Sequence, residues 1–444
     1  MKPKFAIIRF PGTNRQREAL RTANAAGFDA FYFRWNDDFE ILREASAYLL
    51  PGGFSYEDRS RSGIMCALDP VMEVVREEAG KGKPVLGICN GAQMLIESGM
   101  VPGGVKNKKP LMCLARNVRK DEEKLLGTGF LNTWISMKSD LNPKRSAFSL
   151  KFTKDEIVTC PIAHGEGRYT TLNEDLIKTL EANQQILFKY CDEKGEIIEK
   201  YPVNPNGACD NIAAIINPVG NIMAAMPHFE HFYQIGKPIF DSMFEYVIKG
   251  NSIKNLEIPN LKTLPEYKVP KLAKYKSGKR SFEMFVRLII TDNEADSVNS
   301  VLENIGFQKT NLERFIHFEI EHDYTNEELL EKLPAVIRTG ELLNTNKEVC
   351  EVKIANKTYK YFNDKGLIEE KNRKFDNAFL VRETDDYIGM GKCQNLKNKL
   401  SFMMINVIKR GVLWDFRALK KEKVEEILNT RILHNPHAQL ILEY

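Results

Sequence analysis

The stretch GICNGAQML, residues 87–95, is the most informative part of the chain, because it follows the apolar run PVL and places one cysteine between two glycines. The spacing Gly87-x-Cys89-x-Gly91 is typical of a nucleophile elbow, a sharp strand-to-helix turn that exposes a reactive side chain. A cysteine there also lies at a helix N-terminus, where the partial positive charge favours the thiolate. The alternative is an ordinary buried cysteine in front of a helix, so other residues must distinguish the two.

Short β-rich runs alternate with helical patterns on the N-terminal side of this elbow. They are FAIIRF, a helix from about residue 14 to 27, DAFYFRW, AYLLPGG, a helix near 69–79, and PVLGI at 84–88. This alternation predicts an α/β fold with a doubly wound, mostly parallel sheet and helices on both faces. Catalytic loops of such sheets lie at the carboxyl ends of strands. Both Cys89 and the PGG at 51–53 fall at such ends.

A cysteine nucleophile needs a base, and the base needs a group that orients it. After the strand-like run GNIMAAM, the chain continues PHFEH at 227–231. A spacing of two along an extended segment puts His228 and Glu230 on the same side, where a carboxylate can fix the imidazole and stabilise its protonated form. Alone, such a pair is more typical of surface polar residues. Together with the elbow, it predicts a Cys89–His228–Glu230 triad.

The reaction of such a triad also requires donors for an oxyanion, and backbone N–H groups are the usual ones. Gly52 and Gly53, which follow Pro51 after the strand AYLL, suit this role because glycine lets the backbone approach a substrate closely. The alternative is a plain turn.

Composition excludes several classes of function. The chain has 444 residues, of which 43% are hydrophobic and 28% charged, and its net charge is only +4. These values are ordinary for a globular protein of two or three domains and do not indicate a nucleic-acid surface. The N-terminal apolar run is too short for a signal peptide, and no later segment is long enough to span a membrane. We therefore expect a cytoplasmic protein with no membrane partner.

The eight cysteines are scattered and form no CxxC pair, which argues against a zinc site or a disulfide framework. No metal and no cofactor are expected.

The segment 262–280, KTLPEYKVPKLAKYKSGKR, is rich in lysine, contains two prolines, and is predicted to be a linker between residues 1–261 and a second body. In that body the ending GELLNTNKEVCEVKI is partly repeated near the C-terminus as EEILNTRILHNPHAQLILEY. We predict two related α+β units, 281–355 and 378–444, joined by a connecting segment at 356–377. A four-residue match between helix ends can also arise by chance.

The triad resembles that of the class I glutamine amidotransferases, which hydrolyse glutamine to glutamate and ammonia. A closer resemblance, over roughly residues 4–245, is to the glutamine amidotransferase subunits of phosphoribosylformylglycinamidine synthase. The stretches that carry it are FPGTN (10–14), LPGGFSYED (50–58) with Arg61 and Gly63, GICNGAQML (87–95), AHGEGRY (163–169), NPNGACDNIAAI (204–215) and GNIMAAMPHFEH (220–231).

The resemblance implies a role for each matching residue. Cys89 would form a glutamyl thioester, and His228, oriented by Glu230, would move the protons. Backbone groups of Gly53 and Asn90 would hold the oxyanion. Gln93 would lie against bound L-glutamine. His164 and Glu166, in the AHGEGRY stretch, would lie near the glutamine site or a partner interface, with a structural role equally open.

Several residues depart from the usual pattern of the family. Glu57 stands where glycine is common, and Phe229 and His231 replace the proline and arginine of a frequent PHPER. Arg15 stands where cysteine is often found. None of these changes removes a member of the triad.

The C-terminal region resembles the small subunit of the same synthase, in which a β-α-β-β-α-β chain pairs with a second copy and bridges the amidotransferase to a large synthetase. The sequence contains no GxxxxGK[ST] phosphate-binding motif; the nearest match, GMGKC at 389–393, has Asp386 where the first glycine belongs. The resemblance therefore implies a separate, large ATP-dependent synthetase as partner. Two other functions stay open at this point: a cysteine amidase or peptidase on the same fold, and a catalytically silent assembly scaffold.

Overall fold

A computed structural model describes residues 1–121, 124–266, 268–308, 310–417 and 419–444. The chain forms two compact units, Met1–Lys268 and Val269–Tyr444. Their boundary falls inside the segment 262–280, in which Tyr267 lies outside the described residues. The finer domain limits predicted from the sequence stay predictions.

The first unit begins with the alternating elements β1 (Lys4–Arg9), α1 (Gln16–Ala25), β2 (Asp29–Arg34), α2 (Phe39–Arg43), β3 (Ala47–Leu50), α3 (Ile64–Ala67), α4 (Pro70–Gly80), β4 (Val85–Ile88), α5 (Asn90–Glu97) and α6 (Met100–Gly103). It continues with β5 (Cys113–Arg116), β6 (Val118–Asp121), β7 (Lys124–Thr128), β8 (Leu131–Lys138), β9 (Ile157–His164), β10 (Glu166–Thr170), α7 (Glu174–Ala182), β11 (Ile186–Cys191), β12 (Ile212–Ile216), β13 (Ile222–Ala225) and α8 (Tyr233–Ile248).

Nine strands form the main sheet in the order β2-β1-β3-β4-β13-β12-β11-β8-β9. The first five are mutually parallel, and the remaining four extend the sheet in antiparallel fashion. Helix α1 packs beside α8, and α5 packs on β3, β4 and β13. The prediction of an α/β fold around a mostly parallel sheet is confirmed.

The central parallel strands are buried along their whole length, which explains their composition. Every residue of β3 (AYLL) and β4 (VLGI) is buried, so neither strand shows polar alternation. Parallel strands covered on both faces have this continuous apolar character. Helix α4, which leads into β4, begins where Asp69 accepts a hydrogen bond from the N–H of Val71, with Pro70 at the first helical position.

Three neighbouring strands bring the predicted site together. The chain leaves β3 at Leu50, β4 at Ile88 and β13 at Ala225. Because these strands are parallel and adjacent, the residues that follow them emerge at one edge of the sheet. The turn at 51–53, Cys89 and the segment 227–231 therefore share this edge.

The second unit contains β14 (Ala273–Lys274), β15 (Ser281–Leu288), α9 (Asn293–Asn304), β16 (Leu312–His322), α10 (Asn326–Arg338), β17 (Glu348–Ile354), β18 (Lys357–Phe362), β19 (Gly366–Glu370), β20 (Ala378–Glu383), α11 (Tyr387–Asn398), β21 (Ile405–Phe416), α12 (Lys421–Asn429) and β22 (Gln439–Glu443). Its sheet has the order β14-β22-β20-β21-β16-β15-β17-β18-β19.

The same order of elements occurs twice in this unit. The two series are β15-α9-β16-α10-β17 and β20-α11-β21-α12-β22. They meet at the centre of the sheet, where β16 of the first series pairs antiparallel with β21 of the second. Leu312–His322 runs as one 11-residue strand, so each half reads β-α-β-α-β instead of the β-α-β-β-α-β expected from the resemblance. The segment 356–377 contains the β18–β19 hairpin, which extends the sheet. A common origin of the two halves stays a prediction.

Across the described ranges of both units, no helix is both long and apolar enough to cross a membrane.

Candidate active site

Cys89 lies at the turn between β4 and α5 in a strained backbone conformation. Its φ is 52° and its ψ is −106°, a combination that non-glycine residues rarely adopt. The side chain is 6% exposed, and the N–H donates to the carbonyl of Ala225 on β13 over 2.8 Å. The strained turn is held in place from both sides, as in a nucleophile elbow.

The glycines on either side of Cys89 are required by close packing. A Cβ on Gly91 would lie 1.9 Å from the carbonyl oxygen of Leu50, and a Cβ on Gly87 would lie 2.5 Å from that of Gly91. Any larger residue would force β3, β4 and α5 apart. The spacing Gly87-x-Cys89-x-Gly91 therefore reflects the packing of these three elements.

His228 and Glu230 form a buried pair. Nδ1 of His228 lies 2.7 Å from Oε1 of Glu230, and the two residues are 2% and 0% exposed. The backbone around them is anchored as well, since the His228 N–H donates to Pro161 and the Glu230 carbonyl accepts from the Thr22 hydroxyl over 3.1 Å. The carboxylate therefore fixes the imidazole and leaves Nε2 as its second polar atom.

The pKa of His228 is raised by its neighbours. Burial lowers this pKa, but the charge of Glu230, followed by the charge of Cys89, raises it to about 10. Nε2 of His228 is buried. The arrangement favours an imidazolium held between the Glu230 carboxylate and the side chain of Cys89.

The turn after β3 lies against His228. A Cβ on Gly52 would lie 2.9 Å from Cε1 of His228, so only glycine fits there. The carbonyl of Gly52 accepts from the N–H groups of Asn14 and Arg15. Within the described ranges, neither the Gly53 N–H nor the Asn90 N–H donates a hydrogen bond. Both N–H groups are therefore free to bind an oxyanion.

A network of polar side chains continues from the elbow along α5. The side chain of Asn90 accepts from the Ser55 N–H over 3.1 Å and donates to Oε1 of Gln93 over 2.8 Å. Gln93 donates in turn to the carbonyl of Glu166 over 2.6 Å. The pKa of the nearby Asp58 is raised to about 7, by burial and then by the charge of Glu166. This network fixes the orientation of both amides.

His164 is buried and neutral. Its pKa is lowered to about 3, by burial and then by the charge of His228. Asn117 holds the ring, with its amide 3.0 Å from Nδ1 and its Oδ1 accepting from the Gly167 N–H. Asn206 donates to the carbonyl of Gly167 over 2.8 Å. The AHGEGRY and NPNG stretches are thus linked by buried hydrogen bonds.

Two of the departures from the family pattern lie in contact with each other. Nη1 of Arg15 is 3.2 Å from Nδ1 of His231.

Glu57 has a φ of 56°, between Tyr56 and Asp58, which also have positive φ values. A glycine at position 57 would adopt this conformation without strain, which accounts for the residue common there.

The structure brings all of the predicted site residues to one edge of the sheet: Gly52, Gly53, Cys89, Asn90, Gln93, His228 and Glu230. Their catalytic and binding roles stay predictions. Sequence reasoning missed Asn117 and Ser62, whose hydroxyl donates to Glu166 over 2.6 Å. Neither residue lies in a recognisable pattern, because each acts through a contact with a distant part of the chain.

Comparison with known protein families gives one matching family. Residues 2–242 match the model of the CobB/CobQ-like glutamine amidotransferase domain. The matched region ends before the second unit begins, so the resemblance of residues 281–444 to a small synthase subunit stays a prediction.

Comparison with individual proteins gives relatives of the first half of the chain. A protein of Methanothrix thermoacetophila named phosphoribosylformylglycinamidine synthase subunit PurQ is 40% identical over 264 residues, which cover 56% of this chain and 100% of the relative. A protein of the same name from Pyrococcus furiosus is 36% identical over 251 residues, which cover 55% and 98%. A solved structure described as PurLQS from Thermotoga maritima has 28% identity and a TM-score of 0.43, and the match covers 56% of this chain and 100% of that one.

Proposed function

The chain belongs to the family of CobB/CobQ-like glutamine amidotransferase domains, and from this premise we propose that it is the glutaminase subunit of a phosphoribosylformylglycinamidine synthase. It hydrolyses glutamine to glutamate and ammonia and delivers the ammonia to a synthetase that converts formylglycinamide ribonucleotide to formylglycinamidine ribonucleotide. One observation carries the reaction: a strained cysteine at a helix N-terminus faces a histidine whose Nδ1 lies 2.7 Å from a buried carboxylate.

The first half of the reaction releases ammonia. The Cys89 thiolate attacks the carboxamide carbon of glutamine and forms a tetrahedral oxyanion. When the C–N bond breaks, the His228 imidazolium gives its proton to the departing nitrogen, which leaves as ammonia. A glutamyl thioester on Cys89 remains. Glu230 keeps the ring oriented and stabilises its charge throughout.

The second half regenerates the cysteine. Neutral His228 takes a proton from water as the water oxygen attacks the thioester carbon. The C–S bond then breaks, glutamate leaves, and the thiolate and imidazolium are restored. In this proposal the N–H groups of Gly53 and Asn90 bind the oxyanion of both tetrahedral intermediates. A donor of this kind contributes about 3 kcal/mol to transition-state stabilisation.

The synthetase is a separate chain in this proposal. Ammonia released into water would be protonated and would lose its nucleophilicity, so the two sites must be coupled. Exposed aromatic side chains next to the catalytic turn support a docking surface: Trp134 and Phe232 are both 55% exposed, and their rings flank that of His231 at centroid distances of 6.4 and 4.3 Å. Such patches are typical of protein interfaces.

We further infer that residues 281–444 bridge the amidotransferase and the synthetase. The two β-α-β-α-β series would take the place of a pair of small subunits. A cytoplasmic location follows from the same proposal, and all eight cysteines are free thiols, as is usual in a reducing compartment.

The proposal of a thioester on Cys89 is tested by acid quenching. The full chain, mixed with its synthetase and glutamine, is stopped during turnover, digested and analysed by mass spectrometry. We expect a glutamyl adduct on the peptide that contains Cys89, because acid preserves thioesters. The buried Cys66 and Cys160 serve as internal controls, since burial raises the pKa of both thiols. Turnover without an adduct on Cys89, or an adduct on another cysteine, would contradict the proposal.

A further inference from the structure

Arg15 contacts two parts of the active site. Its backbone N–H donates to the carbonyl of Gly52 over 3.1 Å, at the turn that precedes the oxyanion donor of Gly53. Its guanidinium Nη1 lies 3.2 Å from Nδ1 of His231, the residue that follows Glu230. The residue thus contacts both the oxyanion turn and the turn that carries the catalytic base.

The side-chain stem of Arg15 also supports the glycine turn. A Cβ built on Gly52 would lie 3.3 Å from Cγ of Arg15 and 2.9 Å from Cε1 of His228. Gly52 is therefore enclosed between the arginine stem on one side and the catalytic imidazole on the other. A shift of the arginine would remove the support of this turn.

His231 is suited to receive the arginine. Nδ1 must carry a lone pair in order to accept from a guanidinium, so the ring is neutral in this contact. The pKa of His231 is lowered, by burial and then by the charge of Arg15, which agrees with a neutral ring. The His231 N–H donates to the carbonyl of His228 over 3.2 Å, so the turn 228–231 moves as one piece with this ring.

Helix α1 provides a rigid base for the contact. Arg15 is the N-cap residue of α1, and Glu18 on the same helix lies 3.3 Å from its Nη1. One turn further along, Thr22 binds the carbonyl of Glu230 over 3.1 Å. The turn 228–231 is thus attached to α1 at two points, the carbonyl of Glu230 and the ring of His231.

We infer that Arg15 is a positioning residue for glutamine hydrolysis, and this inference rests on the proposed function. Arg15 fixes the turn 228–231 against the turn at Gly52 and Gly53. It thereby sets the distance between the imidazolium that protonates the leaving nitrogen and the N–H group that binds the oxyanion. Its loss affects the chemical step, because displacements of about 1 Å in such arrangements lower rates by about 100-fold.

The test compares Arg15→Gln with Arg17→Gln in the full chain assembled with its synthetase. Arg17 lies on the same helix and is exposed, so the control makes the same charge change away from the site. We expect Arg15→Gln to lower kcat for glutamine hydrolysis by about 10- to 100-fold with KM within a factor of about two, and Arg17→Gln to leave both unchanged. Melting temperatures of both variants establish that the chain is folded.

A double-mutant cycle tests whether Arg15 acts on the site through His231. His231→Phe keeps a ring beside Trp134 and removes the nitrogen that accepts from Arg15. If Arg15 acts through His231, the double variant Arg15→Gln/His231→Phe is no slower than the slower single variant. A double variant whose loss of kcat equals the product of the two single losses would overturn the inference. So would equal kcat in Arg15→Gln and Arg17→Gln, or an effect of Arg15→Gln on KM alone.

The wild-type complex is measured in parallel. Its activity distinguishes a failure of the proposed function from a failure of the role inferred for Arg15. A wild-type complex that hydrolyses no glutamine overturns the proposed function together with the inference. An active wild type with an equally active Arg15→Gln variant overturns the inference alone.

Discussion

At the scale of single residues, the site depends on a histidine whose protonation is set by its neighbours. The pKa of His228 is raised from an ordinary value of 6.5 to about 10, because the charges of Glu230 and Cys89 outweigh the effect of burial. A raised pKa in the folded state means that the protonated ring stabilises the fold at pH values below about 6.5. This stabilisation is lost as the pH rises through about 10.

Removal of the carboxylate should lower the pKa of His228. In Glu230→Gln the strongest charge that raises the pKa is absent, so the imidazole should lose its proton at a lower pH. The change is measured as the titration midpoint of the His228 ring by NMR of the full chain. Glu57→Gln, a change of an exposed carboxylate, provides the control and should leave the midpoint in place. An unchanged midpoint in Glu230→Gln would show that the pair does not set the proton affinity of the ring.

Residue-level prediction from the sequence succeeds where the pattern is local and fails where it is not. Cys89 lies between glycines that its elbow requires, and His228 and Glu230 are two residues apart, so their proximity follows from spacing. The contact of Arg15 with His231 joins residues 216 positions apart. No local pattern encodes such a pair, because it depends on how α1 packs against the turn after β13.

At the scale of elements, apolar runs and helical spacing predict strands β1 to β4 and β13 and helices α1 and α4 of the first unit. The antiparallel strands β8 and β9 are less evident, because polar residues interrupt their apolar runs. In the second unit, the hairpin β18–β19 lies in a polar segment that was expected only to connect two units. Its strands are at the edge of the sheet, where half-exposed side chains hide the pattern.

The segment between the two units is an element whose accessibility can be predicted. The backbone N–H and carbonyl of Lys262 both bind the side-chain amide of Asn183, and Ala273 and Lys274 pair with β22. Lys268 and Lys271 lie between these anchors and are exposed. Brief trypsin treatment should therefore cleave first after Lys268 or Lys271, since proteases need an unanchored backbone.

The products of this digestion are identified by mass spectrometry. Two fragments that resist further cleavage are expected, because each unit has its own buried core. First cleavage inside either unit, or rapid loss of both fragments, would place the boundary elsewhere.

At the scale of the whole molecule, the chain contains an amidotransferase unit and a second unit that the family match does not cover. The matched region ends at residue 242, and the second unit begins at Val269. The sequence predicts the amidotransferase unit through the stretches that contain Cys89, His228 and Glu230. It does not show which aromatic side chains lie exposed beside the site, since the exposure of Trp134 and Phe232 depends on the folded sheet.

The central claim is that Cys89 supplies ammonia to a separate synthetase, and one reconstitution tests it directly. The synthetase is assembled with the wild-type chain or with Cys89→Ser, and formation of formylglycinamidine ribonucleotide is measured with glutamine or with ammonium chloride as nitrogen source. Because only the ammonia source is removed, Cys89→Ser should abolish synthesis from glutamine and leave synthesis from ammonia at the wild-type rate. Synthesis from glutamine that persists in Cys89→Ser would contradict the account.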